Sequence, residues 1–323
     1  MKVFVLGAYP RSAKTRKAIR DLDEGKISIE EARLAILEDT SYICGIQCGS
    51  NLSYVQDPAI EHHDIFRPFV EAWRGVYADG LLRFFDNNFF YRIPVFIEEP
   101  DVQRCVISQR VRVLRKIAHD HPVKISVPGP ITFTYLSKTE LDKGELAVSI
   151  SKAYVLDSEL GDAVPDVLQL DEPFLTDPDA TPYHVSVLED CVKELKRRFP
   201  RIIVSLYYGV PKEDVFKKLI ELPVEAVTLS LVEYPDRALE LLRRCRPEAS
   251  RTCIGVIDAR DIKVEEYEKV KKLVEKATDQ IGSRQLYGIT TSCGFELIPL
   301  KYAIEKTRVL GRYGLRIAEE LER

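Results

Sequence analysis

The chain has 323 residues, a formal net charge of -4 and 45% hydrophobic residues. It is long enough for one large barrel or two ordinary domains, and its charge excludes a nucleic-acid binder that relies on a globally basic surface. No apolar run approaches the roughly 20 residues of a membrane span, and seven cysteines without a CxxC spacing speak for reduced, cytoplasmic thiols rather than a disulfide framework or zinc ribbon.

In chain order, the opening Lys2 to Leu6 reads as a strand and not a leader, because it runs into charged Arg11, Lys14, Arg16 and Lys17. Seven further apolar or β-branched runs follow: Ile43 to Cys48, Val123 to Val127, Val167 to Leu170, Ile202 to Tyr207, Ala226 to Val232, Thr252 to Ile257 and Leu286 to Thr290. Most are continuously apolar, as strands buried on both faces are. Helical patterns lie between them: one behind a Ser28-x-x-Glu31 capping box, then Lys212 to Leu222, Asp236 to Cys245 and Val264 to Ile281. Eight such alternations predict a single α/β domain over residues 1–323, a closed (β/α)8 TIM barrel. The stretch from about 51 to 121 is too long for one crossover helix and predicts an excursion over the carboxyl-terminal face.

The strand ends carry the chemistry. Pro10-Arg11, Pro128-Gly129-Pro130, Asp171-Glu172-Pro173, Tyr208-Gly209, Glu233 and Ser292-Cys293-Gly294 all gather at one mouth in a parallel barrel. Asp171 there binds an amino group or a cation, or caps the next turn. Cys293 alone does not make a zinc site, which needs three or four converging ligands. His119 and His121 read as helix-end caps, and His62, His63 and His184 fall at no strand end. The run Leu82 to Pro94 contains Phe84, Phe85, Phe89, Phe90 and Tyr91, of which at least half read as core. Arg83 and Asn88 among these rings, with Lys14, Arg16 and Lys17 behind Arg11, suit an anionic ligand with a flat ring system.

Read together, Gly7-Ala8-Tyr9-Pro10-Arg11, Phe84-Phe85-Asp86-Asn87-Asn88 with Tyr91 and Pro94, Pro128 to Thr132, Gln169 to Pro173, Tyr207-Tyr208-Gly209, Leu222-Pro223-Val224 and Thr291 to Gly294 resemble cobalamin-independent methionine synthase. The similarity follows its amino-terminal barrel from Val3 to about Leu310, as a free-standing protein. The resemblance implies a barrel shared with the methionine synthase and uroporphyrinogen decarboxylase type. In the family, zinc in the carboxyl-terminal barrel is held by a His-x-Cys pair, a glutamate and a second cysteine. Here those positions read Leu206-Tyr207-Tyr208, Ser230 and Cys293, with Glu233 three residues beyond Ser230, so no metal is expected on this chain. The family's folate-tail segment maps onto Arg16, Lys17, Ala18 and Ile19, and its tail-binding lysine onto Arg83. The implied role is a subunit that binds a methylated folate or related pterin as co-substrate, for methyl transfer to homocysteine with a separate zinc-bearing barrel. A metal-free pterin-binding or regulatory protein, and a uroporphyrinogen-decarboxylase-like enzyme using Arg11, Arg16 and Asp171, are the alternatives.

Overall fold

A computed structural model describes residues 1–85, 87–246 and 250–321. In chain order the strands are β1 (Lys2–Val3), β2 (Val55–Gln56), β3 (Trp73–Arg83), β4 (Phe90–Val102), β5 (Val123–Pro128), β6 (Lys138–Thr139), β7 (Val167–Asp171), β8 (Ile202–Ser205), β9 (Ala226–Ser230), β10 (Arg251–Ile257) and β11 (Leu286–Thr291). The helices are α1 (Ala13–Asp23), α2 (Ile29–Cys48), α3 (Arg67–Val70), α4 (Ile107–Ala118), α5 (Pro130–Tyr135), α6 (Lys143–Leu160), α7 (Pro182–Leu195), α8 (Glu213–Leu219), α9 (Pro235–Arg244), α10 (Tyr267–Ile281) and α11 (Leu300–Leu321).

Eight strands pair in the order β1-β11-β10-β9-β8-β7-β5-β2, and every pair is parallel. The sheet curls until its edges meet: Ser53 N–H donates to the Val3 carbonyl at 2.7 Å, and Val3 N–H donates to Ser53 Oγ at 2.9 Å. This is the (β/α)8 barrel that the alternating pattern predicts. Phe4, Leu6, Tyr54, Val167, Ile203, Ala226, Cys253 and Tyr287 form a small cluster inside it, separate from the larger core between strands and helices. Inward positions recur every second residue, so Gln169 and Asp171 follow Val167 up the same inner face of β7.

One predicted strand is corrected. Ile43 to Cys48 is the last part of α2, and the second barrel strand is β2, only two residues long. The Gln47 side chain completes its pairing, donating to the Gln56 carbonyl at 2.9 Å and accepting from Gln56 N–H at 2.8 Å. The capping box at the start of α2 is present, with Ser28 Oγ accepting from Glu31 N–H and Glu31 accepting from Ser28 N–H.

Between β2 and β5 the chain leaves the barrel. β3 and β4 form an antiparallel hairpin that β6 extends to three strands. Its base is aromatic: Phe66 meets Phe84, Tyr91 and Phe133 at ring distances of 6.2, 5.2 and 4.9 Å, and Trp73 stacks on Phe133 at 5.8 Å. Tyr91 donates to the Leu136 carbonyl at 3.1 Å, which fastens the hairpin to the end of α5. Of the aromatic run, Phe84 and Tyr91 are buried, Phe85 and Phe89 half-buried, and Phe90 exposed. Asp86 lies outside the described residues.

Candidate functional site

A cavity of about 260 Å³ opens at the carboxyl ends of the barrel strands. Its floor is Ser126, Pro128, Asp171 and Tyr207, and one wall is Gly7 to Arg11 with Gly294 and Glu296. Phe84 and Phe89 from the hairpin cover it, and Arg16, His62, His63, Asp64 and Arg110 complete the rim.

The basic side has two kinds of cation. Arg11 is oriented by donation from Nε to the Ile60 carbonyl at 2.6 Å and from its terminal amine to the His62 carbonyl at 2.5 Å. Arg110, itself buried, is paired with the buried carboxylate of Asp57. Burial raises the Asp57 pKa, but Arg110 and His62 outweigh that, and the group ends below its ordinary value. Burial and the nearby Arg67 and Arg11 push His63 down. Arg16 projects to the rim from α1, whose start is capped by Ser12 Oγ accepting from Thr15 N–H at 3.2 Å.

The two carboxylates of Asp171-Glu172 divide their work. Glu172 is fully buried and accepts from Ile131 N–H at 3.0 Å and Thr132 N–H at 2.7 Å, satisfying the open start of α5. It packs where a Cβ on Gly129 would stand, which explains the glycine between two prolines. Asp171 faces the cavity instead. Its Oδ1 accepts from Gln169 Nε2 at 2.6 Å, and Gln169 Oε1 accepts from the buried Lys124 ammonium at 2.5 Å. Burial pushes Asp171 up and Lys124 down, and each opposes the shift of the other.

Of the candidate substrate-binding residues named from the sequence, the structure brings Arg11, Arg16 and Asp171 to one cavity. The others lie elsewhere: Lys14 pairs with Glu38, Lys17 with Asp21 at 2.6 Å, and Ile19 is buried beside half-buried Ala18 on α1. Arg83 sits over the Phe90 ring at 5.8 Å, and Asn88 is exposed in the hairpin turn. His62 and His63, set aside in the sequence for falling at no strand end, line the cavity too, whereas Asp64, Arg110 and Glu296 carry no signal there, because they fall on irregular segments or, for Arg110, on a helix with its own apolar period.

Zinc does not fit the donor set at the other strand ends. Cys293 is buried, and burial with Glu296 and Glu233 nearby pushes its thiol well above the ordinary range. Glu233 is held by Ser230 Oγ at 2.5 Å. Among the described residues no group of three or more His, Cys, Asp or Glu could hold a metal ion, and no helix is long and apolar enough to cross a membrane.

Two solved structures share this fold over nearly all of both chains. They are a B12-independent methionine synthase from Shewanella sp. W3-18-1 in complex with selenomethionine, with a TM-score of 0.79, 19% identity and coverage of 98% of this chain and 97% of that one, and a putative vitamin-B12 independent methionine synthase from Listeria monocytogenes, with a TM-score of 0.76, 17% identity and 98% coverage of each. Curated relatives include the methionine synthase of Sulfurisphaera tokodaii, 24% identical over 329 residues, 98% of this chain and 93% of the relative. The methionine synthase of Sulfolobus acidocaldarius is 22% identical over 323 residues, 99% of this chain and 93% of the relative. The family model for the cobalamin-independent synthase N-terminal domain matches residues 69–282, and with that match across most of the barrel the chain belongs to the cobalamin-independent methionine synthase N-terminal-domain family.

Proposed function

We propose that this chain binds a methylated pterin with an anionic tail, the methyl donor for homocysteine, and acts together with a separate barrel that carries zinc. The observation that carries this reading is the sharing of one strand-end cavity by Arg11 and Arg16 with the rings of Phe84, Phe89 and Tyr207. Arginine recognises carboxylates by a planar fork, and the aromatic cover supplies a face for a flat heterocycle. The family membership supplies the reaction class. Zinc on the partner would lower the pKa of the homocysteine thiol, whereas the residues here bind, orient and shield the donor.

Calorimetric titration with 5-methyltetrahydrofolate and its triglutamate tests the reading. Binding is expected for both, and Arg16→Glu should weaken it about tenfold to a hundredfold, the loss of one charged contact at roughly 1–3 kcal/mol. No binding by the unsubstituted protein would overturn it. A binding protein without a catalytic partner is the second reading, favoured by Leu206, Tyr208 and Ser230 at positions where the family's zinc ligands are implied. Methyl transfer on mixing with a zinc-bearing barrel would decide against it.

A further inference from the structure

The cavity wall holds a carboxylate with too few partners. Glu296 lines the cavity, its Oε1 accepts a long 3.4 Å bond from the Tyr208 hydroxyl, and its Oε2 is shut from solvent with no hydrogen-bond partner among the described residues. The backbone makes room for it: a Cβ on Gly294 would collide with that oxygen, and Gly7, at φ +60°, approaches the Gly294 backbone from the other side. A carboxylate oxygen shut from solvent and left unsatisfied costs free energy comparable to a lost charged hydrogen bond, so a cradle kept open for one calls for a donor from outside the chain. We propose, resting on the pterin reading, that Glu296 is the residue that selects and orients the ligand's head, accepting paired N–H donors from the edge of an aminopyrimidinone ring.

Three observations support this assignment. First, Glu296 and Asp171 face the same cavity as Arg11 and Arg16, so the site is bipolar and suits a ligand with a donor-rich head and an anionic tail. Second, the rings of Tyr207 and Tyr208 lie edge to face at 4.7 Å, and Tyr208 is 6.2 Å from Phe84; together they leave an aromatic border beside the carboxylate. Third, Tyr208 is held at φ +70°, a left-handed conformation unusual for a bulky side chain, and it carries the hydroxyl that meets Glu296. Burial, with the negative charge of Asp171 beyond it, lifts the Glu296 carboxyl to about 7. The terminal torsion of a glutamate is broad, so turning either oxygen to a ligand takes little energy.

The test separates head from tail. Calorimetry would compare 5-methyltetrahydrofolate with p-aminobenzoylglutamate, which has the tail and lacks the pterin edge, on the unsubstituted protein, Glu296→Gln and Arg16→Glu. Glu296→Gln keeps the shape and should weaken 5-methyltetrahydrofolate about tenfold or more, while leaving p-aminobenzoylglutamate within about twofold; the retained tail binding also reports that the variant is folded. Arg16→Glu should weaken both. If Glu296→Gln leaves 5-methyltetrahydrofolate unaffected, or weakens both ligands equally, Glu296 does not read the head, although the pterin reading stands. If the unsubstituted protein binds neither ligand, the pterin reading falls and this assignment with it.

Discussion

At Gly129 there is no space for a side chain, because the carboxylate that serves the start of α5 occupies it. Gly129→Ala should therefore destabilise the fold by roughly 1–3 kcal/mol through overpacking, read as a lower urea midpoint with an unchanged slope. Glu296 makes a second prediction, in pH. Burial lifts its folded pKa to about 7, above the ordinary glutamate value of 4.5, so between those values the folded state holds a proton that the unfolded state has lost. The stability it contributes is full below about 4.5 and is lost as pH rises through 7. Urea unfolding at pH 5 and pH 8 should show a smaller difference for Glu296→Gln than for the unsubstituted protein; equal differences would count against the shift. Other charged and titratable groups near it are Asp171, Tyr208, Cys293 and, beyond these, Arg260, so part of the slope belongs to them. The roles of Asp171 and Glu172 were only half legible in the sequence. Adjacent residues at a strand end point to opposite sides, and which one meets the cavity depends on where α5 begins. Arg16 was legible from its helix, yet Lys14 and Lys17 lie two residues back and one ahead, on other faces.

The capping box on α2 was readable from four residues because its geometry is local: Ser28 and Glu31 reciprocate two backbone donors. Ser28→Ala should cost about 1 kcal/mol, measured by denaturant unfolding, with no change in ligand affinity since the box lies away from the cavity lining. The far end of the same helix was misread for an equally physical reason. Ile43, Cys44 and Ile46 with Gly45 give a short apolar run, and a run of that length does not distinguish a buried helix segment from a strand. The true second strand is Val55–Gln56, whose glutamine is paired by the side chain of Gln47. No propensity marks it. The other seven strands were legible because most keep a continuous apolar stretch and bury nearly all of their residues. The excursion was legible as a length anomaly, but its content was not: an antiparallel hairpin spliced between parallel strands is fixed by the packing of Phe66, Trp73, Phe84, Tyr91 and Phe133.

For the whole molecule the question is what completes the site. A barrel with a buried, strongly protonated Cys293 and no cluster of three metal-binding side chains among its described residues should purify with well below one zinc per chain, as elemental analysis will show; about one tightly held zinc would revive Cys293 with Glu233 as ligands. If this chain orients the donor and another barrel activates the thiol, the two must meet over the strand-end cavity and exclude water there. A stable complex of this kind buries more than about 1,000 Å² in total, and a pterin held between both faces couples its own binding to assembly. Size-exclusion chromatography of the chain co-expressed with a zinc-bearing barrel of the family should show one complex that tightens when 5-methyltetrahydrofolate is added. Arg16→Glu should remove that tightening without abolishing the complex, because the arginine lines the cavity and on this reading would meet the ligand's tail. Two separate peaks, unchanged by pterin and homocysteine, together with full activity of the zinc barrel alone, would leave a stand-alone binding protein.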